Sequence, residues 1–289
     1  MIRFHKYIWL YILISCIIIG SGLFSIMKWG FRYSIDFTGG TTLVYSFSKT
    51  PSANELAHIF TQNKIGIEKI QVSGNTLEAQ TTPINEKEEE AIRKKIETAF
   101  KTQVKSLRFE TVGPTMGKET TQKTIIASLL AVSGILLYMS FAFKGFDFAI
   151  SAVLAMVHDF LVLVGTYSLI SHFFGATFDL MFVTAMLTTM SFSVHDTILI
   201  FDKIREYVRT GVHQGASIEE LTDKAINETL VRSINNSLTI VFMLLALLLL
   251  GGGTIRFFAA ALLVGTITGS YSSPFVATPV LMWFMKKHK

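Results

Sequence analysis

The sequence predicts a polytopic α-helical membrane protein with six transmembrane helices and one α+β extracytoplasmic domain of the ferredoxin-like βαββαβ type. Half of its 289 residues are hydrophobic and only 16% are charged, whereas about a quarter of the residues in a soluble domain are charged. In one long segment, however, apolar and polar residues alternate as they do in half-buried strands. The predicted division is 1–30 for the first transmembrane helix, 31–115 for the extracytoplasmic domain and 116–289 for five further transmembrane helices.

The transmembrane helices are predicted from apolar runs, because roughly 17 to 25 such residues cross a bilayer. The six runs are Tyr7–Met27, Thr124–Phe143, Phe148–Phe174, Phe178–Phe201, Ile234–Leu250 and Phe257–Met285. The first run is too long for a signal peptide and lacks a small-residue cleavage site, so we expect an uncleaved span. It contains Cys16, the only cysteine, and the sequence therefore predicts neither a disulfide nor a cysteine metal cluster.

The positions of the basic residues predict the orientation. The net charge is +5, but the Lys and Arg residues lie beside the apolar runs, so we expect no nucleic-acid partner. The residues that mark the predicted cytoplasmic side are Arg3, Lys6, Lys144, Lys203, Arg205, Arg209, Lys224, Arg232, Lys286, Lys287 and Lys289. The connection between the third and fourth runs has no basic residue, and that between the fifth and sixth has only Arg256. The positive-inside rule then places both termini in the cytoplasm and segment 31–115 outside.

The extracytoplasmic segment contains six predicted elements. In order they are a strand at Thr42–Phe47, a helix after the capping-box sequence Ser52–Glu55, strands at Ile67–Val72 and Leu77–Thr81, a helix at Pro83–Phe100 and a strand at Val104–Val112. The order βαββαβ is that of the split ferredoxin-like unit. We expect the charged run 86–95 to be the solvated face of the second helix.

The glycine pair at the start of this segment predicts a tight junction. The stretch containing Asp36, Phe37, Gly39 and Gly40 only superficially resembles a phosphate-binding loop, because no Lys-Ser/Thr pair follows it. Glycines allow unusual backbone angles and close backbone contacts. We therefore expect a hinge or packing element where the chain leaves the membrane, and no nucleotide site.

Two carboxylates within the apolar runs are candidate functional groups. Asp159 lies in the third run and Asp196 in the fourth, where an ionised side chain costs roughly 2.5 to 3.5 kcal/mol on insertion scales. On a 3.6-residue helix, Thr188, Thr189 and Ser193 share the face of Asp196, and this predicts a polar pathway between helices. The alternative is that these small residues only permit close helix packing.

Arg232, at the start of the fifth span, is the predicted partner of Asp196. Such an ion pair would open when the carboxylate takes up a proton. The alternative is that Arg232 is an ordinary basic residue on the cytoplasmic side, as the positive-inside rule expects. His195 and His158 each precede one of the aspartates. Because neighbouring residues do not share a helix face, we expect no ready-made dyad of His195 with Asp196 and no metal site built from the two His–Asp pairs.

Four stretches together resemble the SecF family of bacterial export proteins, relatives of the RND transporter superfamily. They are Ser34–Gly40 (SIDFTGG), Glu110–Pro114 (ETVGP), Val194–Glu206 (VHDTILIFDKIRE) and the glycines, serines and Pro279 from Gly251 onward. His195 stands where the family usually has Asn, Ser191 where it has Gly, Phe192 where it has Tyr and Lys203 where it has Arg.

The resemblance implies an RND-like half that works with SecD, the SecYEG channel, its associated insertion factors and exported preproteins in the cytoplasmic membrane, among its lipids. It implies a proton pathway through Asp196, Arg232, Asp159 and His195, with the proton as coupling ion, no cofactor and no enzymatic activity. The alternatives are an RND-type exporter of small molecules or lipids, an intramembrane aspartyl hydrolase using Asp159 and Asp196, and a purely structural subunit.

Overall fold

The structure is a computed structural model that describes residues 3–48, 51–143, 145–210 and 216–287. The predictions made for Lys144 and Lys289 lie outside these residues. The chain divides into two compact units, Met1–Arg32 with Ala127–Lys289 and Tyr33–Ile126. The predicted domain boundaries are placed at the ends of apolar runs and strands, whereas these units are defined by contacts. The predicted boundaries stay a prediction.

The elements follow one another in simple order. They are a 3-10 turn (Phe4–Tyr7), α1 (Ile8–Trp29), α2 (Ile35–Thr38), β1 (Gly40–Phe47), α3 (Ala53–Gln62), β2 (Ile67–Ser73), β3 (Thr76–Thr81), α4 (Glu86–Phe100), β4 (Val104–Val112), α5 (Pro114–Ala142), α6 (Phe146–Phe174), α7 (Leu180–Thr210), α8 (Ile218–Leu250), α9 (Gly253–Ser272), a π-helical turn (Ser273–Ala277) and α10 (Thr278–Lys287).

The six predicted transmembrane helices are confirmed. Within the described residues, six helices are long and apolar enough to cross a membrane, the last made of α9, the π-helical turn and α10. Several extend beyond the apolar runs. Helix α8 begins at Ile218 rather than Ile234, because Ser217 and Glu220 form a capping box there. The chain is thus a multi-pass membrane protein.

Glycines bring α7 and α9 close together. A Cβ atom added to Gly265 would lie 2.3 Å from the Thr189 side chain, and one added to Gly269 would lie 3.1 Å from Ser193 Cα. Small residues allow transmembrane helices to pack this closely. The close approach also brings the serines that follow Gly269 within hydrogen-bonding distance of the neighbouring helices.

The unit Tyr33–Ile126 contains a four-stranded antiparallel sheet in the order β2-β3-β1-β4. The four predicted strands are present, and β1 lies between β3 and β4. Alternate residues of β1 contribute to a core shared with α3 and α4; its members include Leu43, Tyr45, Phe47, Leu56, Phe60, Ile92 and Ile96. Helix α4 begins at Glu86 rather than Pro83, because Asn85 caps its first turn.

The charged run 86–95 is not entirely solvated, which corrects the expectation above. Glu89 is only 8% exposed and faces Arg93, with 3.3 Å between Oε1 and Nε. The neighbouring Tyr45 is completely buried. Burial, and then the adjacent Glu89, raise the pKa of Tyr45 well above its usual value. The core of this unit therefore includes a polar cluster that the pattern of apolar and polar residues in the sequence did not reveal.

The glycine pair forms a tight turn. Ser34 caps the short helix α2, and Gly39 follows with φ +75° and Gly40 with φ +121°. A Cβ atom on Gly39 would lie 2.9 Å from Pro114 Cα, and one on Gly40 would lie 2.8 Å from the Thr81 carbonyl oxygen. Both positions therefore require glycine for backbone conformation and for space.

We expect Gly40→Ala to destabilise the unit Tyr33–Ile126 by about 1–3 kcal/mol, because the substitution combines an unfavourable φ with a backbone clash. The measurement is protease resistance of this unit in membranes at increasing temperature. Gly113→Ala is the matched control, because a Cβ atom at Gly113 meets nothing within 4 Å. Equal resistance of both variants would contradict the prediction.

Candidate functional site

Asp196 is buried on α7 and bound by a serine of α8. Asp196 is only 6% exposed. Ser233 Oγ donates a hydrogen bond to its Oδ2 over 2.9 Å. One turn further along α8, Ser237 Oγ bonds to Ser270 Oγ of α9 over 2.6 Å. One hydroxyl group of α8 thus binds this carboxylate, and hydroxyl groups of α8 and α9 line the cavity beside it.

A cavity of about 20 Å³ adjoins Asp196 between α7, α8 and α9. Its lining consists of Phe192, Ser193, His195, Asp196, Asn236, Ser237, Ile240, Thr266, Gly269 and Ser270. A cavity needs roughly 10–15 Å³ to hold one water molecule, and that water needs two to four polar partners. This cavity provides both the volume and the partners.

The ion pair between Asp196 and Arg232 is not formed among the described residues. Arg232 is exposed, whereas the next residue, Ser233, is buried and occupies the position facing Asp196. Successive residues on an α-helix are rotated by 100°, so these two side chains lie on different faces of α8. The predicted functional role of Arg232 is untested and stays a prediction.

Asp159 is the centre of a second buried group on α6. Its Oδ2 accepts hydrogen bonds from Ser193 Oγ of α7 and, over 2.6 Å, from Ser272 Oγ of α9. Its Oδ1 lies 2.9 Å from His158 Nδ1. Three helices therefore meet at one carboxylate, which is 6% exposed.

His158 and Asp159 are in contact, although neighbouring residues do not share a helix face. The imidazole Nδ1 and the carboxylate oxygens both lie close to their own Cβ atoms. The two side chains therefore turn toward each other across the 100° that separates them on the helix. His158 Nε2 also contacts Ser15 Oγ of α1 over 2.9 Å, so the imidazole joins α1 to the Asp159 carboxylate.

The π-helical turn positions two consecutive serines of the last span. Pro274, which lacks a backbone N–H, lies at the beginning of this turn. Ser272 binds Asp159, and Ser273 Oγ lies 2.9 Å from Thr197 Oγ of α7. Single π-helical turns inside α-helices are frequent at functional sites.

The remaining predicted residues have varied environments. Thr188 and Thr189 donate to carbonyl groups of α7 itself, over 2.8 Å and 3.0 Å. Ser193 connects the two carboxylate groups, because it binds Asp159 and lines the cavity beside Asp196. His195 is exposed at that cavity. The predicted polar pathway thus has a candidate route through Ser193.

Hydroxyl groups suit carboxylates that gain and lose protons. A serine hydroxyl donates to an ionised carboxylate and accepts from a protonated one, so either state has a hydrogen-bond partner. Within the described ranges, no three His, Cys, Asp or Glu side chains form a cluster that could hold a metal ion. The chemistry that these residues support is reversible proton binding.

Sequence reasoning missed most partners of the two carboxylates. Ser233, Ser272, His158 and Ser15 had no assigned role, although all four contact the buried groups. A usable signal existed in the run of serines after Gly269, because repeated hydroxyls are unusual in an otherwise apolar span. The pairing itself depends on helix packing and was not predictable from spacing.

Two family models and a relative of known name all match this chain to SecD/SecF proteins. Residues 92–287 match the family model described as protein export membrane protein SecD/SecF, C-terminal, and residues 24–51 match the SecD/SecF GG motif. The chain is 37% identical to protein translocase subunit SecF of Thermobaculum terrenum, with 99% of this chain and 95% of the relative covered.

Two further matches come from a longer protein. The chain is 34% identical to protein translocase subunit SecDF of Thermus thermophilus over 90% of its own length and 35% of that relative. It also superimposes on the crystal structure of SecDF from that organism, with a TM-score of 0.85 and 28% identity. That match covers 99% of this chain but only 39% of the solved one.

Proposed function

Because the chain belongs to the SecF family of protein translocase subunits, we propose that it uses the proton gradient to promote export of unfolded proteins. The observation that carries this proposal is the pair of buried carboxylates, Asp159 and Asp196, each bound by hydroxyl groups of other helices. An intramembrane carboxylate marks a proton relay in many transporters and pumps. The coupling ion is the proton, with no cofactor and no covalent chemistry.

Arg232 acts in a second conformation of this mechanism. In the conformation described, Ser233 faces Asp196 and Arg232 is exposed on the same helix. A rotation of α8 by about one residue, roughly 100°, exchanges the two side chains. Ionised Asp196 then attracts the permanently charged guanidinium, and proton uptake releases it. His195, at the same cavity, contributes a further titratable group.

The part of the unit Tyr33–Ile126 that precedes α5 is a ferredoxin-like domain outside the membrane. Its strand order β2-β3-β1-β4 and the connection order βαββαβ support this assignment. The distribution of Lys and Arg supports a cytoplasmic location for both termini. Helix movements reach the domain through the turn that contains Asp36, Phe37, Gly39 and Gly40.

SecD is the proposed partner within the membrane. The relative and the solved structure in which a SecF-like segment forms part of a longer SecDF chain support this pairing. By the same reasoning the pair acts with the SecYEG channel, its associated insertion factors and emerging preproteins in the bacterial cytoplasmic membrane. This is an RND-like half that performs no enzymatic reaction itself.

The test is preprotein export into inverted membrane vesicles that contain the chain together with SecD of the same organism. We expect a proton gradient to increase the amount of protease-protected preprotein, and an uncoupler to remove that increase. Vesicles that contain SecD alone are the control. If both preparations respond equally to the gradient, this chain does not couple proton flow to export.

A further inference from the structure

Helices α1 and α6 pack against each other with almost no space between their backbones. A Cβ atom on Gly22 of α1 would lie 2.6 Å from Gly165 Cα of α6, and the converse distance is 2.7 Å. One turn further along, Ser25 Oγ and Ser168 Oγ are 2.8 Å apart and both side chains are buried. Interlocked small residues with a buried hydrogen bond resist sliding and rotation.

The end of α1 is fastened to α6 as well. Ser168 Oγ donates to the carbonyl oxygen of Gly30, the residue that terminates α1. The Trp29 ring stacks on the His172 ring with 3.9 Å between the centroids. Contacts therefore join the two helices at several levels, from mid-helix to the last residues before the chain enters the unit Tyr33–Ile126.

His158 supplies the polar connection between these helices and the buried carboxylate. Its Nδ1 contacts Asp159 and its Nε2 contacts Ser15 of α1, each over 2.9 Å. When Asp159 is ionised, Nδ1 carries a proton and donates to it, and a neutral imidazole accepts from Ser15 at Nε2. When Asp159 is protonated and donates a hydrogen bond to Nδ1 instead, the neutral imidazole carries its proton on Nε2 and donates to Ser15. The protonation state of Asp159 thus determines whether His158 accepts or donates the hydrogen bond with Ser15 of α1.

We infer that His158 is a positioning residue that links proton binding at Asp159 to α1, and that α1 and α6 move as one body during export. The inference rests on the proposed function. It adds the route by which proton binding at Asp159 affects the end of α1, where the chain continues into the unit Tyr33–Ile126. Movement during the cycle then occurs between this pair of helices and α8, which carries Ser233 and Arg232, rather than between α1 and α6.

A reversible crosslink tests the rigid pair. Ser25→Cys and Ser168→Cys are combined in a Cys16→Ser background, which removes the only native cysteine. We expect oxidation to form the crosslink and to leave gradient-stimulated export within about twofold of the reduced sample. Loss of stimulation on oxidation, with recovery after reduction, would show that α1 and α6 must separate or slide and would overturn the inference.

A matched crosslink uses Ser237→Cys and Ser270→Cys, which join α8 to α9 where the two hydroxyls are 2.6 Å apart. We expect this crosslink to stop gradient-stimulated export reversibly, because it immobilises α8 beside Asp196. The same oxidant therefore acts on cysteine pairs introduced at two pairs of serine positions, with opposite expected results. Unchanged export with the α8–α9 crosslink would overturn the division into moving and fixed helices.

His158→Gln and Ser15→Ala test the polar connection. Among the described residues, His158 contacts one titratable group, Asp159, and Cys16 and Lys286 line the same groove of α1, α6 and α10. We expect His158→Gln to lower gradient-stimulated export about two- to thirtyfold and to shift the pH at which stimulation is half-maximal. Ser15→Ala should lower stimulation without that shift, because it leaves the titratable ring in place.

The outcomes separate this inference from the proposed function. An unchanged pH profile in His158→Gln, while Asp196→Asn abolishes gradient dependence, refutes the role of His158 and leaves proton coupling intact. If both variants keep the gradient dependence and pH profile of the wild type, neither His158 nor Asp196 takes part, and proton coupling must depend on another group. Co-purification with SecD shows for each variant that the loss is not caused by failure to assemble.

Discussion

Asp196→Asn is expected to abolish the gradient-dependent part of export and to leave assembly with SecD unchanged. The amide has nearly the size of the carboxyl group and still accepts a hydrogen bond from Ser233, but it does not take up a proton at ordinary pH. The measurement is protected preprotein in inverted vesicles with the proton gradient applied or collapsed. Export driven without the gradient should be the same as in the wild type.

Asp202→Asn is the matched control for this result, because Asp202 lies on the same helix but is exposed. Its carboxylate pairs with Arg205 over 2.6 Å, and exposed ion pairs of this kind contribute about 0–1 kcal/mol. We expect normal gradient dependence. If Asp196→Asn also retains it, Asp196 is a packing residue and proton coupling must depend on another group, with Asp159 the first to examine.

Gly22→Leu is expected to have the largest effect on stability. The new side chain would enter a space already occupied by the Gly165 backbone, since even a Cβ atom would lie 2.6 Å from its Cα. Overpacking usually costs about 1–3 kcal/mol, and this backbone contact has no flexible side chain that can move aside. Loss of the α1–α6 contact also separates Ser15 from His158 and so affects export.

Gly20→Leu provides the control, because a Cβ atom added at Gly20, two residues earlier in α1, would meet nothing within 4 Å. The two variants are compared by thermal unfolding of the purified chain in detergent and by the amount assembled in membranes. We expect a lower midpoint and less assembled protein for Gly22→Leu only. Equal behaviour would mean that α1 and α6 do not pack through their glycines.

The two carboxylates contact different sets of membrane helices. Asp159 is bound by residues of α6, α7 and α9, and is connected through His158 to α1. Asp196 instead faces α8 through Ser233. Ser193 connects the two groups, because it binds one carboxylate and lines the cavity beside the other.

Features that depend on local composition and periodicity could be predicted before any contact was known. The six apolar runs, the four strands, the capping box at Ser52 and the buried position of the two aspartates were all predictable. Apolar length decides whether a helix crosses a membrane, alternation decides whether a strand has one buried face, and a hydroxyl before a first turn decides where a helix begins. Each of these signals lies within one continuous stretch of the sequence.

The tertiary structure alone decided which groups meet. The spacing of residues did not distinguish Arg232 from Ser233 as the neighbour of Asp196, because that choice depends on the rotation of α8 about its axis. Nor did it reveal the contacts of His158, which depend on how closely α1 approaches α6 at their glycines. Helix rotation and interhelical distance result from packing over the whole bundle, so no single stretch of sequence contains them.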